Sequence, residues 1–218
     1  MKNTPAAATA NILIHGFTGE PADMEYLHAY LTERGLVSYV LKPNGHAGTR
    51  ADMIRHGCNS WIRGVMRDVA EIQYRHEKIN LVGFSMGGLL TVNALEKFTA
   101  DKVVFVNTAV YFWNMRQIVD NIRNDINNKK YNKIKHYLCA SHSAPLPSLF
   151  NFLRIVFLSR PKFKNVTAKA LILQNKDDDT VQPRSALYIK DKLKHNAKLV
   201  WFETGGHMMF VDERKEDA

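Results

Sequence analysis

Apolar residues along this chain repeat in two registers. Short, mostly apolar runs, the mark of strands covered on both faces, occur at residues 11–14, 37–41, 79–82, 102–107, 171–174 and 198–202. Between several of them the period lengthens to that of a helix. Residues 22–34 carry Met24, Leu27, Tyr30 and Leu31 on one side and stop at Gly35, while residues 61–74 align Trp61, Val65, Val69 and Ile72 with charges elsewhere. Residues 89–98, with an apolar face, and 183–193 complete the helical set. This alternation predicts an α/β fold with about six mainly parallel strands flanked by helices.

One stretch breaks the alternation. Residues 109–164 far exceed the usual connection of roughly two to six residues, and they predict a helical cap inserted into a single domain spanning residues 1–218. Within it Leu149, Phe152, Leu153 and Val156 stand at i, i+3, i+4 and i+7. Such a stripe either lines a pocket or packs on the body of the fold, and for any one residue packing is the commoner outcome.

Composition adds one strong asymmetry. With 218 residues, 45% of them hydrophobic, the chain suits one domain with a substantial core. Its net charge is +9, and residues 109–164 hold ten Lys plus Arg against two Asp, a net +8. A one-signed patch concentrates partners of opposite charge, so this segment either steers anionic substrates and surfaces or is a solvated lysine-rich face, the commoner case. No basic motif interleaved with aromatics and no recognition-helix pattern points to nucleic acid. No run approaches the roughly 20 apolar residues that span a bilayer, and residues 1–10 lack a continuous apolar segment, so a cytoplasmic protein without stable membrane insertion is expected. Cys58 and Cys139 are then expected as thiols. His136, Cys139 and His142 are spaced by three without a fourth ligand, and neither metal nor cofactor is expected.

The chemistry concentrates in four loops. Gly83-Phe84-Ser85-Met86-Gly87-Gly88 follows directly on the run at 79–82 and reads as a nucleophile elbow, in which a strand turns sharply into a helix. Glycines two before and two after Ser85 leave room for the turn, and the helix N-terminus beyond favours developing negative charge. The first strand runs into His15-Gly16-Phe17-Thr18-Gly19, a loop able to offer a backbone N–H to an oxyanion. The run at 171–174 leads into Asn175-Lys176-Asp177-Asp178-Asp179-Thr180-Val181, which sets a carboxylate at a strand's C-terminal end. The last strand passes through Glu203-Thr204-Gly205-Gly206 to His207. Serine, acid, histidine is the α/β-hydrolase order.

Together with Pro43-Asn44-Gly45-His46, these motifs resemble the bacterial serine carboxylesterases related to monoacylglycerol lipases, over residues 12–212. The resemblance implies an α/β-hydrolase fold, Ser85 as nucleophile, His207 as general base, Asp178 as the acid, and the backbone amides of Phe17 and Met86 as the oxyanion hole. Asp178 precedes Val181 by three and Pro183 by five, the family's spacing, which leaves Asp177 and Asp179 to face solvent or bond the turn. His15 and His46 are expected to brace the oxyanion loop and the pocket mouth. An insertion covers the active site in that family, so Trp113, Leu149, Phe152, Leu153 and Val156 are candidate substrate-binding residues. Family members continue past the histidine with a full helix, whereas here the charged run at 212–217 follows; an exposed apolar patch near the sheet's end, either covered by a partner subunit in a homo-oligomer or left as a stability cost, is expected. The expected activity is hydrolysis of small to medium acyl carboxylic esters, with small-molecule esters as substrates. Alternatives are a monoacylglycerol lipase, a thioesterase, or a non-catalytic hydrolase-fold binding module, which would have no need of all three triad residues.

Overall fold

The computed structural model describes residues 9–132, 135 and 144–211. Six strands form one sheet: β1 (Thr9–Ile14), β2 (Val37–Leu41), β3 (Lys78–Phe84), β4 (Lys102–Val106), β5 (Lys169–Asn175) and β6 (Ala197–Phe202), in the order β2-β1-β3-β4-β5-β6. Every pairing is parallel. Parallel neighbours need crossovers that lay helices on both faces of the sheet, which is why these strands read as continuous apolar runs. Side chains alternate between two cores. Ile12, Ile14, Leu81, Phe105 and Ile172 enter one, and Leu13, Val82, Phe84, Val106 and Leu173 enter the other.

The helices are α1 (Glu25–Glu33), α2 (Arg50–Arg55), α3 (Cys58–Arg75), α4 (Met86–Ala94), α5 (Met115–Asn127), α6 (Leu146–Ser159) and α7 (Arg184–Leu193). On α3 the anticipated stripe of Trp61, Val65, Val69 and Ile72 is buried. On α1 the stripe is narrower than expected: Leu27 and Leu31 pack on the second core, but Tyr30 is exposed beneath the Arg34 guanidinium, 3.4 Å from the ring centroid. The segment after Ser85 departs more. Its expected apolar face is absent as such, because all nine residues of α4 are buried, between β3, α3 and α6. The one polar amide there, Asn93, is satisfied by the Leu89 carbonyl and Ser159 Oγ, both at 2.7 Å.

Residues 107–168 separate β4 from β5 and contain α5 and α6. The buried positions of α6 are Ser148, Phe152, Ile155, Val156 and Ser159, so the inward face is turned away from Leu153, which is exposed. Near the sheet's end, Met209 and Phe210 are buried against Phe84, while Val104, Leu171, Val200 and Phe202 are half-buried on the same face. The run at 212–217 lies outside the described residues.

Candidate active site

β3 ends at Phe84 and α4 begins at Met86, so a single residue turns the chain. That residue, Ser85, has φ 54° and ψ −118°, a conformation that costs a non-glycine residue on the order of 1–3 kcal/mol. The surrounding glycines make it possible. A Cβ on Gly83 would run into the Gly87–Gly88 backbone, one on Gly87 into the Ile14 carbonyl, and one on Gly88 into Thr108. The Ser85 N–H donates to the Val106 carbonyl at 2.9 Å, tying the elbow to the neighbouring strand.

Ser85 Oγ lies 3.1 Å from His207 Nε2, and Nδ1 of the same ring lies 2.9 Å from Asp178 Oδ2. Asp178 is wholly buried, and its Oδ1 accepts the amides of Thr180 and Val181 at 2.9 and 2.8 Å. A carboxylate at Nδ1 fixes the proton there and leaves Nε2 as an acceptor facing the serine hydroxyl. Such a chain can draw a proton from Ser85 and hold the resulting imidazolium.

Side chains that the sequence reading passed over set the histidine's position. Asn107 Nδ2 donates to the His207 carbonyl at 2.9 Å, and Asn175 Nδ2 donates to the Gly206 carbonyl at 2.7 Å. Asn107 Oδ1 in turn accepts the Asn175 amide at 3.0 Å. Asp177 accepts the amides of Gly205 and Gly206 at 3.2 and 2.9 Å. The visible signal was an asparagine at the C-terminal end of two apolar runs. Asp179 takes the turn-bonding alternative and is buried: its Oδ1 accepts Thr180 Oγ1 at 3.1 Å and its Oδ2 accepts Asn121 Nδ2 of α5 at 3.2 Å. Replacing Asn107 or Asn175 by alanine is expected to lower kcat about ten- to a hundredfold through misplacement of the imidazole, with KM nearly unchanged in steady-state ester assays.

The loop after β1 is held by its aromatic side chain. The Phe17 ring stacks on Phe152 of α6 at 4.9 Å between centroids and contacts Trp61 at 5.9 Å and His46 at 6.3 Å. Gly16 approaches so closely that a Cβ there would sit 3.0 Å from Ser85 Cβ. The Phe17 backbone is thereby anchored beside Ser85. The Met86 amide opens α4, where a helix has no internal acceptor to offer. His15 Nδ1 lies 3.0 Å from the Gly16 carbonyl and His46 Nδ1 lies 3.4 Å from that of Asn44. Burial lowers the pKa of both imidazoles, and for His46, with the charge of His15 adding to it, to about 4.

Of the five candidate substrate-binding residues, Phe152 and Val156 are buried in the first core, Leu149 is half-buried against it, and Trp113 and Leu153 are 52% and 41% exposed. Phe152 is the one in ring contact with the loop beside Ser85. Two clefts of about 470 and 460 Å³ open beside His46 and beside Thr18, Glu20 and Asp23; Ser85 lines neither. Among the described residues no group of three His, Cys, Asp or Glu is placed to hold a metal ion. His136, Cys139 and His142 lie outside the described residues.

The family described as "Putative serine esterase (DUF676)" matches residues 9–125, more than half of the chain. The chain belongs to this serine esterase family. The matched span includes the elbow and the loop that carries Phe17. A carboxylesterase of Bacillus subtilis (strain 168) is 22% identical, covering 95% of this chain and 87% of its own, and a thermostable monoacylglycerol lipase of Bacillus sp. (strain H-257) is 26% identical, covering 92% and 83%. Among solved structures, one reported with the metagenome-derived lipolytic enzymes LipS and LipT superposes with a TM-score of 0.78 at 20% identity, covering 97% of this chain and 90% of that one. An esterase from Exiguobacterium antarcticum gives a TM-score of 0.66 at 17% identity, covering 97% and 90%. The six-stranded parallel sheet is that of the α/β-hydrolases.

Charge in this serine esterase is arranged around His207. Burial lowers its pKa, but the adjacent Asp178 charge and hydrogen bond, with Asp179 and Asp23 behind them, raise it by more, so it titrates above the ordinary imidazole value of 6.5. Burial pushes the Asp178 carboxyl upward, against the pull of His207 and the Val181 and Thr180 amides.

Proposed function

We propose that this protein is a serine carboxylesterase that hydrolyses small-molecule esters of small to medium acyl groups through an acyl-enzyme. The observation that carries the reading is the continuous chain Ser85 Oγ, His207, Asp178, closed at 3.1 and 2.9 Å on a strained elbow. His207 Nε2 takes the hydroxyl proton as Oγ attacks the ester carbonyl. The tetrahedral oxyanion then rests on the amides of Phe17 and Met86, where losing one donor costs roughly 3–4 kcal/mol of barrier. His207 passes the proton to the departing alcohol, and water, deprotonated by the same imidazole, releases the acid from Ser85. Residues 109–164 serve as the cap on this single domain, with Phe152 linking them to the oxyanion loop. No helix among the described residues is long and apolar enough to cross a membrane. A cytoplasmic setting, with Cys58 kept as a thiol, belongs to the same reading. The half-buried face of Val104, Leu171 and Val200 offers a second copy a surface, which light scattering tests.

A chain-length series of p-nitrophenyl esters, extended to monoacylglycerols, tests the substrate class. kcat/KM is expected to be highest on short and medium acyl chains; turnover confined to monoacylglycerols would transfer the reading to a monoacylglycerol lipase, and turnover of none would refute it.

The pH profile follows from the histidines. The free enzyme needs His207 neutral, and its raised pKa places the acid limb of kcat/KM above pH 6.5. His15 and His46 are lowered and add no limb in that window. Activity should therefore fall in a single step as pH drops through the raised His207 value; a midpoint well below 6.5 would contradict the ion pairing.

A further inference from the structure

Two asymmetries coincide on one part of the molecule. Residues 109–164, a quarter of the chain, hold +8 of its net charge of +9. Among the described residues, eight of the fourteen most exposed large apolar side chains lie in the same segment. Four of them form a stripe on α6: Leu146, Phe150, Leu153 and Phe157, at i, i+4, i+7 and i+11, with Leu146, Phe150 and Phe157 between 70% and 79% exposed. Val119 and Ile126, seven apart on α5, are exposed as well. Lys129, Lys130, Lys135 and Arg154, in the same segment of the chain, are likewise exposed.

We propose that the outer face of α6 docks on an anionic lipid surface, with the basic residues of the same segment adding electrostatic attraction. Folding accounts for part of the charge, since Lys162 pairs with Glu96 at 2.6 Å and Arg160 Nε donates to the Val110 carbonyl at 3.1 Å, but not for the apolar half. The inward face of α6 is already filled by Phe152, Ile155 and Val156, so the second apolar stripe is surplus to the core. Exposed aromatic and aliphatic side chains gain from entering the acyl boundary of a bilayer, and lysines and arginines beside them gain from acidic headgroups; together these are the signature of an interfacial helix. A second copy fits less well, since an isologous contact would set one +8 segment against another. The face lies beside the site, because Phe152 on the opposite side of α6 stacks on Phe17. Delivery of an ester from the lipid layer would rest on the esterase reading, whereas the docking itself does not.

Flotation of the full chain with vesicles of phosphatidylcholine, alone or mixed equally with phosphatidylglycerol, tests the inference. Binding should appear on the mixed vesicles and weaken as salt shortens the Debye length from about 30 Å at 0.01 M to about 10 Å at 0.1 M. Leu146→Ser/Phe150→Ser/Phe157→Ser should lose at least about tenfold in partitioning. Lys129→Gln/Lys130→Gln/Lys135→Gln/Arg154→Gln should lose at least about tenfold on the mixed vesicles only. Far-UV circular dichroism and turnover of p-nitrophenyl acetate without vesicles establish that both variants are folded. Wild-type-like flotation of the serine variant would overturn the proposal, as would a wild-type dimer that this variant dissolves. If the wild type turned over no ester, flotation would still decide the docking.

Discussion

Ser85→Ala is expected to lower kcat by about 10⁴- to 10⁶-fold, leaving only what the oxyanion donors and substrate binding supply. The change removes one oxygen, 3.1 Å from His207 Nε2, and leaves the elbow's packing untouched. Thermal stability should therefore hold or rise. Ser85→Gly sharpens the point, because its backbone tolerates φ 54° and ψ −118° without the strain that a Cβ carries there. That variant should be inactive and melt no lower than wild type, which a purely structural serine would not do. A fluorophosphonate probe should label Ser85 in the wild type and fail on both variants. The buried Ser148 and Ser159 are engaged with the carbonyls of Met53 and Leu89 and are not competitors for it. A label recovered on any other serine would remove Ser85 from the centre of the mechanism.

The sequence was most legible where local chemistry and tertiary packing demand the same residues. Parallel strands must be apolar on both faces, so all six appeared as runs, with edges moved by a residue or two. The elbow was legible because glycine is the only residue that fits at 83 and 87 beside Ser85. Misreadings arose where burial depends on neighbours that no local pattern reveals. The segment after Ser85 was expected to be amphipathic, yet α6 and α3 cover its outer side, so α4 has no exposed face. On α6, two apolar stripes overlap in a run of Leu, Phe, Ile and Val, and period alone could not decide which one faces inward. The short helix α2 was missed although Thr49 and Asp52 form a reciprocal capping box, with the Asp52 amide 3.2 Å from Thr49 Oγ1 and the Thr49 amide 2.9 Å from Asp52 Oδ2. Asn107 and Asn175 were illegible as functional residues because their partners, the carbonyls of His207 and Gly206, lie at least 31 positions away in sequence.

The three consecutive aspartates separate cleanly by what each carboxylate holds, and their asparagine variants should rank accordingly. Asp178→Asn is expected to lower kcat by about 10⁴-fold. The amides of Thr180 and Val181 both donate to Oδ1, so the new carboxamide must keep its oxygen there and turn its NH₂ toward His207. A donor facing Nδ1 drives the imidazole proton to Nε2, where it meets the Ser85 hydroxyl and can no longer accept from it. The same change deletes the charge that holds the His207 pKa up, so the acid limb of the residual activity should move downward. Asp177→Asn keeps an oxygen for the glycine amides but can serve only one of its two bonds without rotating an NH₂ into the other, and about a tenfold loss is expected as the histidine loop loosens. Asp179→Asn alters the contacts with Asn121 on α5 and with Thr180 and removes a lesser charge behind His207, but leaves the hydrogen bonds of the histidine loop in place, so it should cost activity least. Steady-state kinetics and pH profiles of the three variants distinguish these roles. A loss at Asp177 as large as that at Asp178, with the acid limb shifted in both, would mean that the proton relay runs through the neighbouring carboxylate.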